Sequence, residues 1–469
     1  MISAWCVALG GRAPRGALLS ITSKVLFAAI GGASLAAAAL WARPPELFRV
    51  GANYAAKIVC SNVFLAHRDP AEILRSDVQA PGNPLLELMR VRVDRGRGIV
   101  RAGLFGFIGG GLAVDRPGSG CTVLPDGKLA GIDRMPRGRA IASGAIASRA
   151  IAKRPDPGLD RILDDAALAG PGMRAIVVMQ HGRVVGERYG RGFDASTPLL
   201  GWSMTKSVVA GLIGLLVEDG RLTLDQSAGW PAAVGDPRAA IRIADLLSMT
   251  SGLHFNEDYG DVSDVTRMLF LEPDMAAFAR AQPLEHPVGT VWSYASGTAV
   301  ILSRIFQDAV GPGAQRFVRE RLFDPLGMHG ATIETDARGT LVGSSYMYAT
   351  ARDWARYAEL LLQDGVWRGE RLLPQGYVAM MASPVAASGG QYGRGLLWRF
   401  GSSPAAPGVD PDRAFGIPAD TFWMEGHDGQ SIAIVPSRTL VVLRMGLTPA
   451  RDNYQPQPLV HALLEALRS

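Results

Sequence analysis

The stretch SMTKSVVAGLIGLLVEDG, residues 203–220, decides the fold of this 469-residue chain. It predicts a helix over residues 203–219, because Gly220 stands where helices commonly end. Apolar side chains cover most of the circumference of this helix, which is typical of a helix buried inside a domain. Ser203 and Lys206 are one turn apart and share a face of the first turn. The sequence therefore predicts a hydroxyl and an amine side by side in a buried setting.

Such a Ser-x-x-Lys pair suits nucleophilic catalysis. The helix N-terminus supplies positive potential, which favours an alkoxide at Ser203 and a nearby anionic intermediate. Burial lowers the pKa of a lysine, so the neutral amine of Lys206 can accept the serine proton. The chain has only five lysines, and Lys206 is the last of them. That scarcity makes its position beside a helix-starting serine informative.

Two further motifs follow downstream. Tyr294-Ala295-Ser296 predicts a loop tyrosine with its phenol oxygen beside the nucleophile. If a nearby ammonium stabilises it as a phenolate, it can shuttle a proton to the leaving group. His427-Asp428-Gly429-Gln430 lies between two predicted strands. There Gly429 would let a substrate approach the strand edge, and the amide of Gln430 would form an oxyanion hole with the amide of Ser203. Taken singly, these motifs also suit a core tyrosine and an ordinary turn.

The pattern around these motifs predicts an α/β (α+β) fold. Strands are predicted near both ends of residues 158–469, with a mostly helical region between them. This order indicates an antiparallel sheet built from both ends of the domain, flanked by N- and C-terminal helices, with an inserted helical domain. The predicted strands are 175–179, 184–189, 421–424, 431–435 and 439–445, and the predicted helices outside 203–219 are 159–168, 298–309, 351–363 and 459–467.

The three motifs, in this order, resemble the serine β-lactamase and penicillin-binding protein superfamily. The chain is most similar to the class C-like branch that includes esterases and 6-aminohexanoate-dimer hydrolase. Residues 243–253 (IADLLSMTSGL), 323–328 (FDPLGM) and 350–353 (TARD) also match segments of that branch. The resemblance covers about residues 158–469 and implies a β-lactamase/transpeptidase-like fold.

This resemblance implies roles for individual residues. Ser203 would be the nucleophile, Lys206 its base or proton partner, and Tyr294 the proton shuttle. Ser296 stands where many members have Asn, and His427 where β-lactamases have Lys, so a cation for an antibiotic carboxylate is missing from the pattern. The stretch 256–259 (NEDY) resembles a loop of the aminohexanoate hydrolases, which would make Tyr259 a second, substrate-binding tyrosine.

The expected function is therefore that of an exported serine hydrolase that cleaves a small-molecule ester or amide through an acyl-enzyme on Ser203. One alternative is a β-lactamase or D-Ala-D-Ala carboxypeptidase. A second alternative is a non-catalytic binding or sensor protein on the same fold. The substrate and the oligomeric state do not follow from the sequence.

The first 157 residues predict a membrane attachment and two further segments. Residues 25–42 are an uncharged run of 18 residues, long enough at 1.5 Å per residue to span a bilayer as a helix. Positive charges in residues 1–24 predict that this end is cytoplasmic and that the catalytic domain is exported, to a periplasmic or other extracytoplasmic location. A cleaved signal peptide and a buried core helix are the alternatives. Residues 43–133 are predicted as a membrane-proximal module with short strands, and residues 134–157 as a linker.

Composition predicts few other partners. Of the three cysteines, Cys60 and Cys121 lie on the exported side and are predicted to form a disulfide, with two separate thiols as the alternative. The seven histidines include no pair with metal-ligand spacing, so neither a metal nor another cofactor is expected. The net charge of +5 is spread along the chain without a dense basic run, which argues against a nucleic acid partner.

Overall fold

A computed structural model describes residues 25–27, 31, 38–80, 82–129, 157–230, 235–402 and 409–467. Among these residues, no helix combines the length and apolar character needed to cross a bilayer. Half of the membrane segment predicted at 25–42 falls outside the described residues, and the segment has no support from the structure. The predicted cytoplasmic segment 1–24 and nearly all of the predicted linker 134–157 also fall outside them.

The N-terminal layer is a long helix packed on a small antiparallel sheet. Its helices are α1 (Glu46–Phe64) and α2 (Pro70–Ile73), and α2 continues as a π-helical turn, Leu74–Gln79. Its strands, in consecutive order, are β1 (Met89–Asp94), β2 (Ile99–Leu104), β3 (Ile108–Arg116) and β4 (Gly120–Val123). Gly111 of β3 is required where α1 crosses the sheet, because a Cβ there would collide with the Ala52 carbonyl. The predicted short strands are therefore present, but the long helix before them was not predicted.

The remaining described residues build the larger domain. Its helices are α3 (Pro157–Asp164), α4 (Ala166–Ala169), α5 (Met204–Glu218), α6 (Ile243–Leu247), α7 (Asp264–Leu271), α8 (Met275–Arg280), α9 (Ser296–Val310), α10 (Ala314–Val318), α11 (Asp324–Leu326), α12 (Ala351–Leu362), α13 (Tyr377–Ala382) and α14 (Gln457–Ala466). Its strands are β5 (Met173–Gln180), β6 (Arg183–Tyr189), β7 (Leu199–Leu200), β8 (Thr332–Ile333), β9 (Met347–Ala349), β10 (Val366–Trp367), β11 (Glu370–Arg371), β12 (Phe422–Gly426), β13 (Gln430–Val435) and β14 (Leu440–Gly446).

The central sheet has the order β12-β13-β14-β5-β6, and every neighbouring pair is antiparallel. The early and late strands meet where β14 pairs with β5. Helices α3 and α14 cover one face, where their leucines share a core with β5, β13 and β14. Helix α12 covers the other face, and the chain from α5 to α11 lies between β6 and β12 in sequence. The predicted antiparallel sheet with flanking terminal helices is confirmed.

The N-terminal layer shares a continuous apolar core with the larger domain. Lys57 of α1 forms a fully buried ion pair with Glu334, and the Asn53 side-chain amide donates to the Phe270 carbonyl at 2.8 Å. The predicted disulfide is present between Cys60 of α1 and Cys121 of β4, with 6.0 Å between the Cα atoms. Residues 46–123 therefore pack as an integral part of the folded body.

Candidate active site

The candidate nucleophile lies at the start of α5, directly after a strained turn. Trp202, the residue before it, has a φ of 46°, a left-handed value that is uncommon for a large side chain. Ser203 occupies the N-cap position, yet its side chain makes no capping hydrogen bond. The hydroxyl is therefore not used to stabilise the helix and is available for chemistry at the positive end of the helix dipole.

Lys206 is 1% exposed and lies at the centre of a hydrogen-bond cluster. Its Nζ is 2.9 Å from Ser203 Oγ, 3.1 Å from Ser296 Oγ and 3.1 Å from the Ser344 carbonyl oxygen. Loss of solvation lowers the pKa of Lys206 to about 8, and the negative charge of Glu257 partly opposes this shift. A substantial fraction of neutral amine is therefore present close to neutral pH.

The proton positions follow from the partners of Ser296, the first residue of α9. Its hydroxyl donates to Glu257 Oε1, and its backbone amide donates to Glu257 Oε2 at 2.8 Å. Since Ser296 gives its only hydroxyl proton to the carboxylate, it must accept from Lys206. The Ser344 carbonyl can only accept as well. A neutral amine at Lys206 has two protons for these two acceptors, and its lone pair is left for the Ser203 hydroxyl.

Glu257 completes this cluster from a loop. Its half-buried carboxyl group has a pKa raised by burial, and the nearby Lys206 ammonium opposes that rise. The stretch containing Glu257 was singled out in the sequence, but only its tyrosine was predicted to act. Ser344 was also missed, and because it acts through its backbone carbonyl its residue type carries no signal.

Tyr294 lies over the same lysine in an aromatic cluster. Its ring stacks on Trp398 with 5.6 Å between centroids, and Lys206 Nζ is 4.7 Å from the ring centre. Burial and the charge of Glu257 raise the pKa of Tyr294, while a hydrogen bond with Ser203 opposes the rise. The neutral phenol is thus favoured, so the arrangement suits a proton donor rather than the phenolate that the sequence suggested.

The His427-Asp428-Gly429 segment forms the tight turn between β12 and β13, where Gly426 pairs with Gln430. The turn packs closely against the residues just before Ser203. The approach is so close that a Cβ on Gly426 would collide with the Gly201 carbonyl. The Gln430 side chain holds the turn from inside by donating to the His427 carbonyl at 3.2 Å. The predicted oxyanion hole from the amides of Ser203 and Gln430 remains a prediction.

His427 and Tyr259 form one wall of the site. Their rings stack with 5.0 Å between centroids, and His427 also meets Trp202 edge-on at 5.8 Å. The Tyr259 ring is 39% exposed, while its hydroxyl donates inward to Glu257 Oε1 at 3.3 Å. The structure therefore brings all the sequence-predicted side chains to one place. Among the described residues, no group of three or more His, Cys, Asp or Glu side chains is placed to hold a metal ion.

Comparisons with known sequences agree with this site. The family model Beta-lactamase matches residues 161–453. The chain is 25% identical over 221 residues to 6-aminohexanoate-dimer hydrolase of Paenarthrobacter ureafaciens, covering 44% of this chain and 55% of that protein. It is 28% identical over 255 residues to penicillin-binding protein 4 of Amycolatopsis lactamdurans, covering 46% of this chain and 65% of that protein. The matches thus span less than two thirds of either relative.

Solved structures show the same fold. A candidate 6-aminohexanoate-dimer hydrolase of Bacillus anthracis superposes with a TM-score of 0.53 at 21% identity, covering 66% of this chain and 81% of that one. A candidate beta-lactamase of Bacteroides dorei gives the same TM-score and identity, covering 67% and 99%. The family model spans more than half of the chain and includes the whole cluster from Ser203 to Gln430. On these grounds the chain belongs to the beta-lactamase family.

Proposed function

We propose that this protein is a serine hydrolase that cleaves a small-molecule ester or amide through an acyl-enzyme on Ser203. The observation that carries the proposal is the environment of Lys206. Its amine is 2.9 Å from Ser203 Oγ, its pKa is lowered to about 8, and its other two partners can only accept protons. This is the arrangement of a general base directed at a nucleophile.

Acylation follows from this geometry. Ser203 Oγ attacks the substrate carbonyl carbon while its proton passes to the Lys206 amine. The negative charge on the carbonyl oxygen is stabilised by the amides of Ser203 and Gln430. Tyr294 gives its phenol proton to the departing oxygen or nitrogen and recovers a proton from Lys206. The carbon–leaving group bond breaks, and the acyl group stays on Ser203.

Deacylation repeats these steps with water in place of Ser203. Water gives a proton to the neutral base, and its oxygen bonds to the acyl carbon. The bond between the acyl carbon and Ser203 Oγ then breaks, and Oγ takes the proton back from the base. Tyr259 would contact the substrate from the opposite wall, as the resemblance to the aminohexanoate hydrolases suggests, and His427, whose ring stacks on Tyr259, would contact it from the same wall.

The composition of the His427 turn favours this reading over β-lactam turnover. The His427 side chain is 46% exposed, lies 3.4 Å from Asp428 and stacks on Tyr259. The nearby Arg444 guanidinium donates to the Gly429 carbonyl from behind the turn, at 2.9 Å, and is 1% exposed. Neither group presents a free cation to an antibiotic carboxylate. Similarity to a penicillin-binding protein nevertheless makes penicillin a necessary arm of the test.

An exported location is part of the proposal. The Cys60–Cys121 disulfide supports it, because structural disulfides persist in oxidising compartments. Anchoring through residues 25–42 is proposed from the sequence pattern.

Labelling with a fluorophosphonate tests the assignment. We expect the probe on Ser203 alone, with no label in Ser203→Ala. Ser207→Ala is the matched control, since Ser207 is in the same helical turn but its hydroxyl donates to the Leu396 carbonyl at 2.8 Å. It should label like the wild type. Turnover of ester, amide and penicillin panels then separates the hydrolase from the β-lactamase alternative. A folded protein without label or turnover would support the binding or sensor alternative.

A further inference from the structure

A cavity of about 140 Å³ lies between the N-terminal layer and the active site. Trp202, Tyr259 and His427 line it on the active-site side. Leu47, Phe48 and Leu85, among others, line it from the N-terminal layer. Since Trp202 is bonded to Ser203 and the other two form a wall of the site, the cavity adjoins the candidate active site.

Most of the polar groups that line the cavity already have partners, including Asn83 and Asp261, whose side chains accept from the Leu85 and Val262 amides. The Tyr54 hydroxyl donates to the Asp77 carbonyl at 3.2 Å, and Thr266 Oγ1 donates to the Asp261 carbonyl at 2.8 Å. The hydroxyl of Tyr259 points away, to Glu257. What these residues present to the cavity is therefore mainly aliphatic and aromatic carbon. A polar substituent placed there would lose hydration without gaining hydrogen bonds.

A second cavity, of about 470 Å³, lies on the other side of His427. It is lined by Trp398, Ser402 and Glu425, among others, and is the more polar of the two. Tyr294 stacks on Trp398, so the proton donor for the leaving group is on this side. A leaving group that receives its proton from Tyr294 would lie on the side of the larger cavity, which leaves the apolar cavity for the acyl group.

We propose that the apolar cavity binds the acyl group of the substrate, and that this group is a compact hydrocarbon of about six carbons. A cavity of about 150 Å³ lined by apolar side chains holds benzene, which sets the size. The proposal rests on the hydrolase function proposed above and adds its substrate class. It also makes the N-terminal layer a determinant of specificity, because Leu47, Phe48 and Leu85 all come from that layer.

Chain-length selectivity measures this directly. Burying one methylene multiplies kcat/KM by about fourfold. Hexanoate has four more methylenes than acetate, so the ratio of their kcat/KM values has a ceiling of about 200-fold. We expect p-nitrophenyl hexanoate to exceed p-nitrophenyl acetate by at least about tenfold in kcat/KM. Leu85→Trp should reduce this ratio to near one. Leu88→Trp is the matched control from the same 3₁₀ turn, Pro84–Leu88, since Leu88 is 37% exposed and does not line the cavity.

Enlarging the cavity should move the optimum the other way. Phe48→Ala removes a ring from the lining, and we expect the preferred chain to lengthen from hexanoate toward octanoate. A misfolded variant could not produce such a shift.

A binding measurement tests the cavity independently of catalysis. Hexanamide and acetamide are titrated into Ser203→Ala protein by ligand-observed NMR. We expect hexanamide to bind at least about tenfold more tightly than acetamide, and Leu85→Trp to abolish the difference. If hexanamide binds more tightly in this way but the wild type shows no turnover and no label on Ser203, the hydrolase function is overturned and the cavity remains an apolar binding site. A second outcome is that the enzyme turns over its esters while Leu85→Trp and Leu88→Trp change the hexanoate-to-acetate ratio of kcat/KM equally, or leave it unchanged. That result would overturn the cavity proposal and leave the hydrolase function standing. Equal binding of both amides would also overturn the cavity proposal.

Discussion

Replacing Lys206 with arginine keeps a positive charge at the centre of the site and removes the ability to accept a proton. A guanidinium stays protonated in proteins, whereas a desolvated lysine amine releases its proton near neutral pH. The substitution also places a forked group in a space that is 1% exposed and filled by three hydrogen-bond partners of the lysine. If Lys206 served only as a charge, Lys206→Arg would retain much of the activity.

The size of the loss follows from the pKa. With the pKa of Lys206 lowered from 10.5 to about 8, roughly a tenth of the amine is neutral at pH 7, about 300-fold more than for an ordinary lysine. Arginine provides essentially none. Because general-base assistance contributes about 10²–10⁴-fold, kcat/KM should fall by at least about a hundredfold. In the wild type, kcat/KM should rise about tenfold per pH unit below pH 8 and level off above it, since only the unprotonated lysine is active.

The assay is p-nitrophenyl ester hydrolysis between pH 6 and 9, beside a melting curve for each variant. Lys128→Arg is the matched control, because Lys128 is exposed and far in sequence from the site, and it should leave both the rate and its pH dependence unchanged. A folded Lys206→Arg protein with more than about a tenth of wild-type activity would refute the general-base role. A pH profile without an inflection near 8 would refute the pKa argument.

Three further outcomes are expected. Glu257→Gln removes a negative charge that raises the pKa of Lys206, so the inflection of the pH–rate profile should move to lower pH. An unmoved inflection in a folded variant would leave Glu257 a purely structural role. Lys57→Met should lower the free energy of unfolding by about 3–5 kcal/mol, because it leaves Glu334 buried without its partner, and adding Glu334→Gln should recover much of this loss in a denaturant titration. Alkylation of denatured, unreduced protein should leave Cys60 and Cys121 unmodified, and reduction should cost about 4 kcal/mol for a loop of 61 residues in the chain-entropy model; modification of both thiols before reduction would contradict the pairing.

The sequence predicted that Ser203 and Lys206 lie side by side because both belong to one helical turn. Their spacing fixes their neighbourhood whatever the rest of the fold does, and the strands near both ends of the domain were visible as short apolar runs. Glu257 could not be assigned a role in the same way. Its carboxylate reaches the site only because its loop folds back onto the first turn of α9, to Ser296. No local pattern encodes a contact between residues 39 positions apart.

The helix Glu46–Phe64 was missed for a different reason. Its buried face carries Asn53, Lys57 and Ser61, which do not look like core residues in a sequence. They are buried because their partners come from the larger domain, where Phe270 offers a carbonyl and Glu334 a carboxylate. Tertiary pairing of polar groups thus replaced the apolar face that sequence reasoning looks for.

This same pairing connects the stability of the N-terminal layer to the shape of the active site. Lys57 and Cys60 fix the C-terminal half of α1 to Glu334 and to β4, and the first turn of the same helix carries Leu47 and Phe48 to the apolar cavity. The buried pair, the disulfide and this part of the cavity wall are therefore connected through one helix. Loosening the pair should therefore broaden acyl-chain selectivity before it affects Ser203 and Lys206, whose contacts lie within the larger domain.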